Sequence, residues 1–167
     1  MYSLLAHAAL TEAREVYLYL KPLGRMFEEL EEGDYIELLD KIPAVMHVLC
    51  LVWANCQHYR QPARLVVLLQ EMCNMLIELS RNYLTDELIR MEPDEGLEKV
   101  QETLKVCKVF KDTFVEKRRT IASYFKDTPP VEWEFQSNLV FDRFDRFVER
   151  VVTVQVGGAI CVLPTYL

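Results

Sequence analysis

Four side chains suited to metal chemistry fall close together in the run HVLCLVWANCQHY: His47, Cys50, Cys56 and His58. Imidazole nitrogen and thiolate sulfur are the ligands that tetrahedral zinc takes. Their spacing argues against that use. His47 and Cys50 lie within a helical apolar pattern, and closing four ligands around one ion needs a chain reversal that only Gln57 to Pro62 could supply. Core packing is the expectation, with a small zinc-binding protein or metalloenzyme as the alternative of a different class.

Nothing else in the sequence assembles a catalytic set. His7 reads as a helix-surface residue, and the pairs Glu28 with Glu29, Glu31 with Glu32 and Asp94 with Glu95 read as solvated helix faces or ends. Phosphate binding needs a glycine-rich loop followed by Lys and Ser/Thr, and none of the five glycines stands in such a pattern. No catalytic, cofactor or metal residue is assigned, spacing alone picks out no partner-binding residue, and the expectation is a protein that is not an enzyme and carries no cofactor. The five cysteines, an odd and scattered set, are expected to be reduced and buried.

The chain has 167 residues with a net charge of −7, which supplies no dominant basic face for nucleic acid. Lys117, Arg118 and Arg119, its one basic run, read as a solvated helix end. The N-terminus lacks the basic start of a secretory signal and meets Glu12 early. The charge-free end, Val151 to Leu167, is interrupted by Gly157, Gly158 and Pro164, so no clean membrane span is expected. A soluble intracellular protein is the reading that follows.

Helical periodicity positions nearly everything. After Gln61 the residues Leu65, Leu69, Met72, Leu76, Leu79 and Tyr83 draw one helix face, Val66, Cys73 and Ile77 a second, and Pro62 suits the first helical position. A second helix is expected from Pro93 towards Arg119, with the stripe Leu97, Val100, Leu104, Cys107, Phe110 or Lys111, and Phe114. A third, capped by Ser137, turns Val140, Phe144, Phe147, Val151 and Val154 inward and Asp142, Arg143, Asp145, Arg146, Glu149 and Arg150 outward. Asp34 caps a segment carrying Leu38, Ile42, Val45, Leu49 and Trp53, with a break or kink expected at Lys41 to Pro43. The first helix is expected from Ser3 to Leu20, stopping near Pro22 and Gly24 and resuming as Arg25 to Glu32. Lys126 to Glu134 is the Pro-rich loop, and only Val151 to Val156 hints at strand. The fold class is all-α, five to seven helices stacked or in an antiparallel bundle. Trp53, Tyr59, Trp133, Phe144 and Phe147 are expected in the core.

Several blocks in order, IPAVMHVLCLVWANCQHYRQPARLVVLLQEMCNMLIELSRNYL, EPDEGLEKVQETLKVCKVFKDTF, RRTIASYF and WEFQSNLVFDRFDRFVERVVTVQ, closely resemble the N-terminal tail of dynein heavy chains, in particular the axonemal outer-arm type. The resemblance runs from about Leu20 to Gln155, with Trp53, Tyr59, Pro62, Asn74, Leu97, Lys99, Trp133, Phe135, Phe141, Arg143 and Phe147 at matching positions. It implies a segment of an elongated tail built of helical bundles, noncatalytic in itself, that pairs with other dynein heavy chains and seats intermediate and light chains in a microtubule motor of the cytoplasm, cytoskeleton and ciliary axoneme, without nucleic acid or membrane. The family's motor ring and stalk lie far downstream of this region. A free-standing helical adaptor is the other reading of the same faces.

The resemblance stops at VGGAICVLPTYL, so residues 1–155 are expected to form the helical unit and 156–167 a divergent, uncharged and poorly ordered tail. That ending reads as the product of alternative splicing, a frame change or an incomplete gene model.

Overall fold

A computed structural model describes residues 2–88 and 93–156. Among the described residues five α-helices follow one another: α1 (Tyr2–Glu32), α2 (Leu38–Asn55), α3 (Pro62–Leu88), α4 (Pro93–Thr120) and α5 (Asn138–Val156). Single turns of 3-10 helix occupy Tyr35–Glu37 and Ile121–Tyr124, and the described residues contain no strand. The fold is all-α. Cys161 and the rest of the uncharged tail from Gly157 lie outside the described residues.

The chain runs as a serpentine whose non-sequential neighbours are parallel. Phe110 faces Phe144 and Phe114 faces Phe141, so α4 and α5 are antiparallel. Gln70 bonds the carbonyl of Leu139 and Asn74 accepts from Arg143, so α3 and α5 run the same way. Helices α3, α4 and α5 all pack on one another, α2 lies along α4, and α1 packs on α2. Helix α4 is therefore the centre, burying Val100, Val106, Cys107, Phe110 and Phe114 against neighbours on both sides.

Two prolines expected to interrupt helices do not. Pro22 sits inside α1 and Pro43 inside α2. A helix-interior proline costs about 3 kcal/mol through its missing donor and the clash with the carbonyl four residues back. At Pro22 that carbonyl belongs to Leu18, which is exposed, so water can satisfy it. At Pro43 the flanking Ile42, Val45, Met46 and Leu49 are all wholly buried, and their burial at about 1.5–3 kcal/mol each outweighs the defect. The interruption comes instead at Gly33, where a Cβ would stand 2.8 Å from the carbonyl oxygen of Glu29. Asp34 then caps the 3-10 turn by accepting the Ile36 N–H at 3.3 Å.

The expected faces hold in α3, where Leu65, Leu69, Met72, Cys73, Leu76 and Ile77 are buried. In α4 the stripe begins later than its spacing suggested, because Leu97 is exposed and Thr103 and Thr113 take buried positions. The segment Val151–Val156 is helical, not extended: Val151 continues the buried face of Phe144 and Phe147 at helical period. The side chain of Val154 lies outside the described residues. Phe141 joins that face, so that three aromatic rings from α5 and the preceding loop, Phe141, Trp133 and Phe135, surround Phe114 of α4.

Candidate interaction surface

The four metal-capable side chains separate into different surroundings. His47, exposed on α2, shares a hydrogen bond of 2.9 Å between Nδ1 and the Tyr124 hydroxyl. Cys50, one turn on, is wholly buried in the main core, and burial pushes its thiol up to about 12 despite the opposing influence of Lys117. Cys56 closes α2 with its N–H on the Val52 carbonyl at 2.9 Å and is buried beside Val52 and Tyr59. His58 places Nε2 3.4 Å from Glu15 and Nδ1 4.0 Å from Glu12, both on α1. Among the described residues no group of three or more His, Cys, Asp or Glu is arranged to hold a metal ion. Cys73 and Cys107 are free, buried thiols like Cys50 and Cys56. Trp53, Tyr59 and Trp133 are buried, as expected of core residues.

The basic run at the end of α4 is not simply solvated. Lys117 is largely covered and lies over the Tyr124 ring. Arg118 reaches the loop before α5, donating to the Phe135 carbonyl at 2.6 Å and to the Ser137 hydroxyl at 2.8 Å, with its guanidinium 5.2 Å from the centre of the Phe135 ring. Of the three, Arg119 alone is exposed. Basic residues also favour a helix C-terminus, so sequence alone does not separate the two roles. We expect Arg118→Ala to cost about 2–3 kcal/mol in chemical unfolding, and Arg118→Lys to recover less than half of it, because an ammonium cannot reproduce the planar two-point contact.

A further surface feature is α1. Its C-terminal half is fixed in the main core by Leu23 and Leu30 with Met26 and Phe27 beside them. Its N-terminal half is mostly open: Leu5 is 64% exposed, Tyr17 61% and Leu18 68%. A groove of about 540 Å³ runs between this half and the α2–α3 connection, lined by Ala9, Glu12, Ala13, Val16, Tyr59 and Arg64 among others. Arg64 Nη2 pairs with Glu12 at 3.1 Å across it. Alanines along a helix permit close approach of another backbone, and large apolar side chains at the rim supply contact area. Helical spacing predicts the apolar residues of α1 but not their exposure, which depends on α2 ending and α3 beginning beneath them. No described helix is long and apolar enough to cross a membrane.

Among the described residues the geometry offers helix faces for packing, and a second groove between α3 and α5 is lined by Glu71, Cys73, Asn74, Asp142 and Arg143 among others. Comparison with known proteins agrees on where such a segment occurs. The family model for the dynein heavy chain, N-terminal region 1, matches residues 5–156, beginning upstream of Leu20, from which the sequence blocks resemble that family. The chain is 43% identical over 150 residues to the ciliary dynein beta chain of Heliocidaris crassispina, covering 89% of this chain and 3% of that protein. Identity to dynein axonemal heavy chain 9 of Homo sapiens is likewise 43% over 150 residues, with 89% and 3% covered. The flagellar outer-arm dynein beta chain of Chlamydomonas reinhardtii is 38% identical over 145 residues, with 86% and 3% covered. The chain thus spans about 3% of the length of these relatives, and a match across nearly all of its described residues places it: the chain belongs to the dynein heavy chain N-terminal region 1 family.

Proposed function

We propose that this chain is a noncatalytic assembly segment of a dynein heavy-chain tail, pairing with other heavy chains and binding intermediate and light chains in a microtubule motor complex for ciliary movement. The observation that carries the reading is the family match over residues 5–156. It is supported by the names of the relatives, which are ciliary, axonemal and flagellar outer-arm dyneins, and it places the segment on the cytoskeleton, in the ciliary axoneme and its cytoplasmic pool. Residues 1–155 act as one helical unit in this reading, with 156–167 a divergent tail outside it. The nucleotide chemistry belongs to other parts of the motor, since no phosphate-cradling glycine loop occurs in this sequence. The binding surface is the open half of α1, where Leu10 and Leu18 are exposed.

Affinity-tagged chain expressed in ciliated cells is expected to bring down dynein heavy and intermediate chains. Leu10→Glu combined with Leu18→Glu should cut that recovery about ten-fold without moving the thermal midpoint, because both side chains are exposed. Recovery no greater than that of an unrelated tagged helical bundle would count against the reading.

A further inference from the structure

We propose that α1 is two mechanical parts, an anchored half from Leu23 to Glu32 and a detachable arm up to Lys21, hinged at Pro22, with Gly24 softening the first turn of the anchored half, and latched over Cys56 by Arg64 and His58. This is a property of the chain alone and holds whatever partner the arm meets.

The two halves rest on different foundations. Leu23 and Leu30 belong to the main core, whereas Val16 of the arm packs on a separate small cluster of three buried residues, Val52, Cys56 and Tyr59, and Leu20 spans both. Beyond that cluster the arm is tied down by charge: Glu12 to Arg64 at 3.1 Å, and Glu15 to His58 Nε2 at 3.4 Å when the imidazole is protonated. These groups are all between 37% and 43% exposed, which makes such pairs weak and sensitive to salt. Few buried contacts and solvated ion pairs are the marks of a segment that opens on its own while the rest of the fold stays closed.

The hinge is the second, independent observation. Pro22 cannot donate to the Leu18 carbonyl, so one rung of the helix ladder is missing there. Gly24 is two residues on, and a Cβ built on it would meet nothing within 4 Å. No close approach requires glycine at that position; its effect is to lower the stiffness of the helix next to the missing rung. The two weakest helix formers in α1 therefore stand where the contacts change from main core to separate cluster. Lifting the arm about this point removes the cover from Cys56, which is wholly buried in the closed form.

Cys56 reports the motion directly. The full chain in reducing buffer is pulsed with a small alkylating reagent, and modification of Cys56 and Cys107 is followed separately by peptide mass spectrometry, Cys107 serving as the internal clock for opening of the main core. Arg64→Gln is expected to accelerate Cys56 about three- to ten-fold and leave Cys107 unchanged, as is 1 M salt in the wild type, where screening shortens to about 3 Å. Pro22→Ala with Gly24→Ala restores the rung and stiffens the joint, and should slow Cys56 at least about five-fold relative to Arg64→Gln in the same background. Equal rates at Cys56 and Cys107 in every form would overturn the proposal. So would parallel acceleration of both cysteines in Arg64→Gln, which signals opening of the whole bundle, or a stiffened joint that leaves Cys56 unchanged.

Discussion

Phe114→Ala should lower the stability of this chain by about 3–5 kcal/mol, the range for deleting a buried phenyl ring, and move its thermal midpoint down by roughly 10 °C. Phe114 is 1% exposed, and its ring centre lies 4.9 Å from that of Phe141, 5.8 Å from Trp133 and 6.3 Å from Phe135. It is thus the point at which α4, α5 and the loop between them share one contact. Truncation removes the transfer energy of the ring and leaves a hole that three rigid aromatic neighbours close poorly. The loop has no helix of its own there and holds its place through Trp133, Phe135 and the Arg118 contacts. Tryptophan emission should therefore shift to the red below the temperature at which helicity falls. Phe114→Leu, which refills most of the volume, should cost about 1 kcal/mol, and Val115→Ala on the exposed side of the same turn less than about 0.5. A Phe114→Ala midpoint within 2–3 °C of the parent would show that the cluster is not the seat of stability that its geometry indicates.

The same residues show what sequence spacing carries and what it does not. The faces of α3 and the inward side of α5 follow from period alone, because a buried stripe repeats at 3.6 residues whatever it faces. Pro22 and Pro43 mislead because local rules price a proline without the packing around it. For Pro43 the compensating side chains include Ile42 and Met46 on α2, whose burial depends on where α4 runs. Phe141 lies off the stripe drawn from Val140 to Phe144, yet it is the residue that completes the aromatic cluster. Arg118 is ambiguous for a different reason: a cation in a last helical turn satisfies the same rule whether it faces water or a loop carbonyl. The separation of His47 and Cys50 from Cys56 and His58 rests on the course of α2, which the apolar pattern did show. Exposure of the α1 arm was illegible, since it records where neighbours end.

Raising the pH should unfold the chain between about pH 9 and 12, with the thiols of Cys50, Cys73 and Cys107 as the principal cause. Each is pushed from its ordinary value of 9.0 up to about 12, first by burial, which disfavours the charged thiolate. The folded chain therefore keeps these protons to higher pH than the unfolded chain does. Their contribution is complete below the unfolded value near 9, and it drains away as pH rises towards the folded value near 12. Tyr35, hydrogen-bonded to Ser80 at 2.7 Å and raised from 10.0 to about 12 by burial, acts in the same direction over the upper part of that window. One unit is about 1.4 kcal/mol, so several groups shifted together weigh against the 5–15 kcal/mol that holds a domain folded, and Tyr59, raised from 10.0 to about 12 by burial, adds to them. Helical circular dichroism in reducing buffer should accordingly collapse before pH 12. Cys107→Ala separates this cause from general charge repulsion: it removes a titrating group at the cost of a small cavity, so it should be slightly less stable than the parent at pH 7 and lose stability less steeply above pH 9. A chain still helical at pH 12, or a Cys107→Ala variant with the parent's alkaline slope, would show that these thiols do not govern the limb.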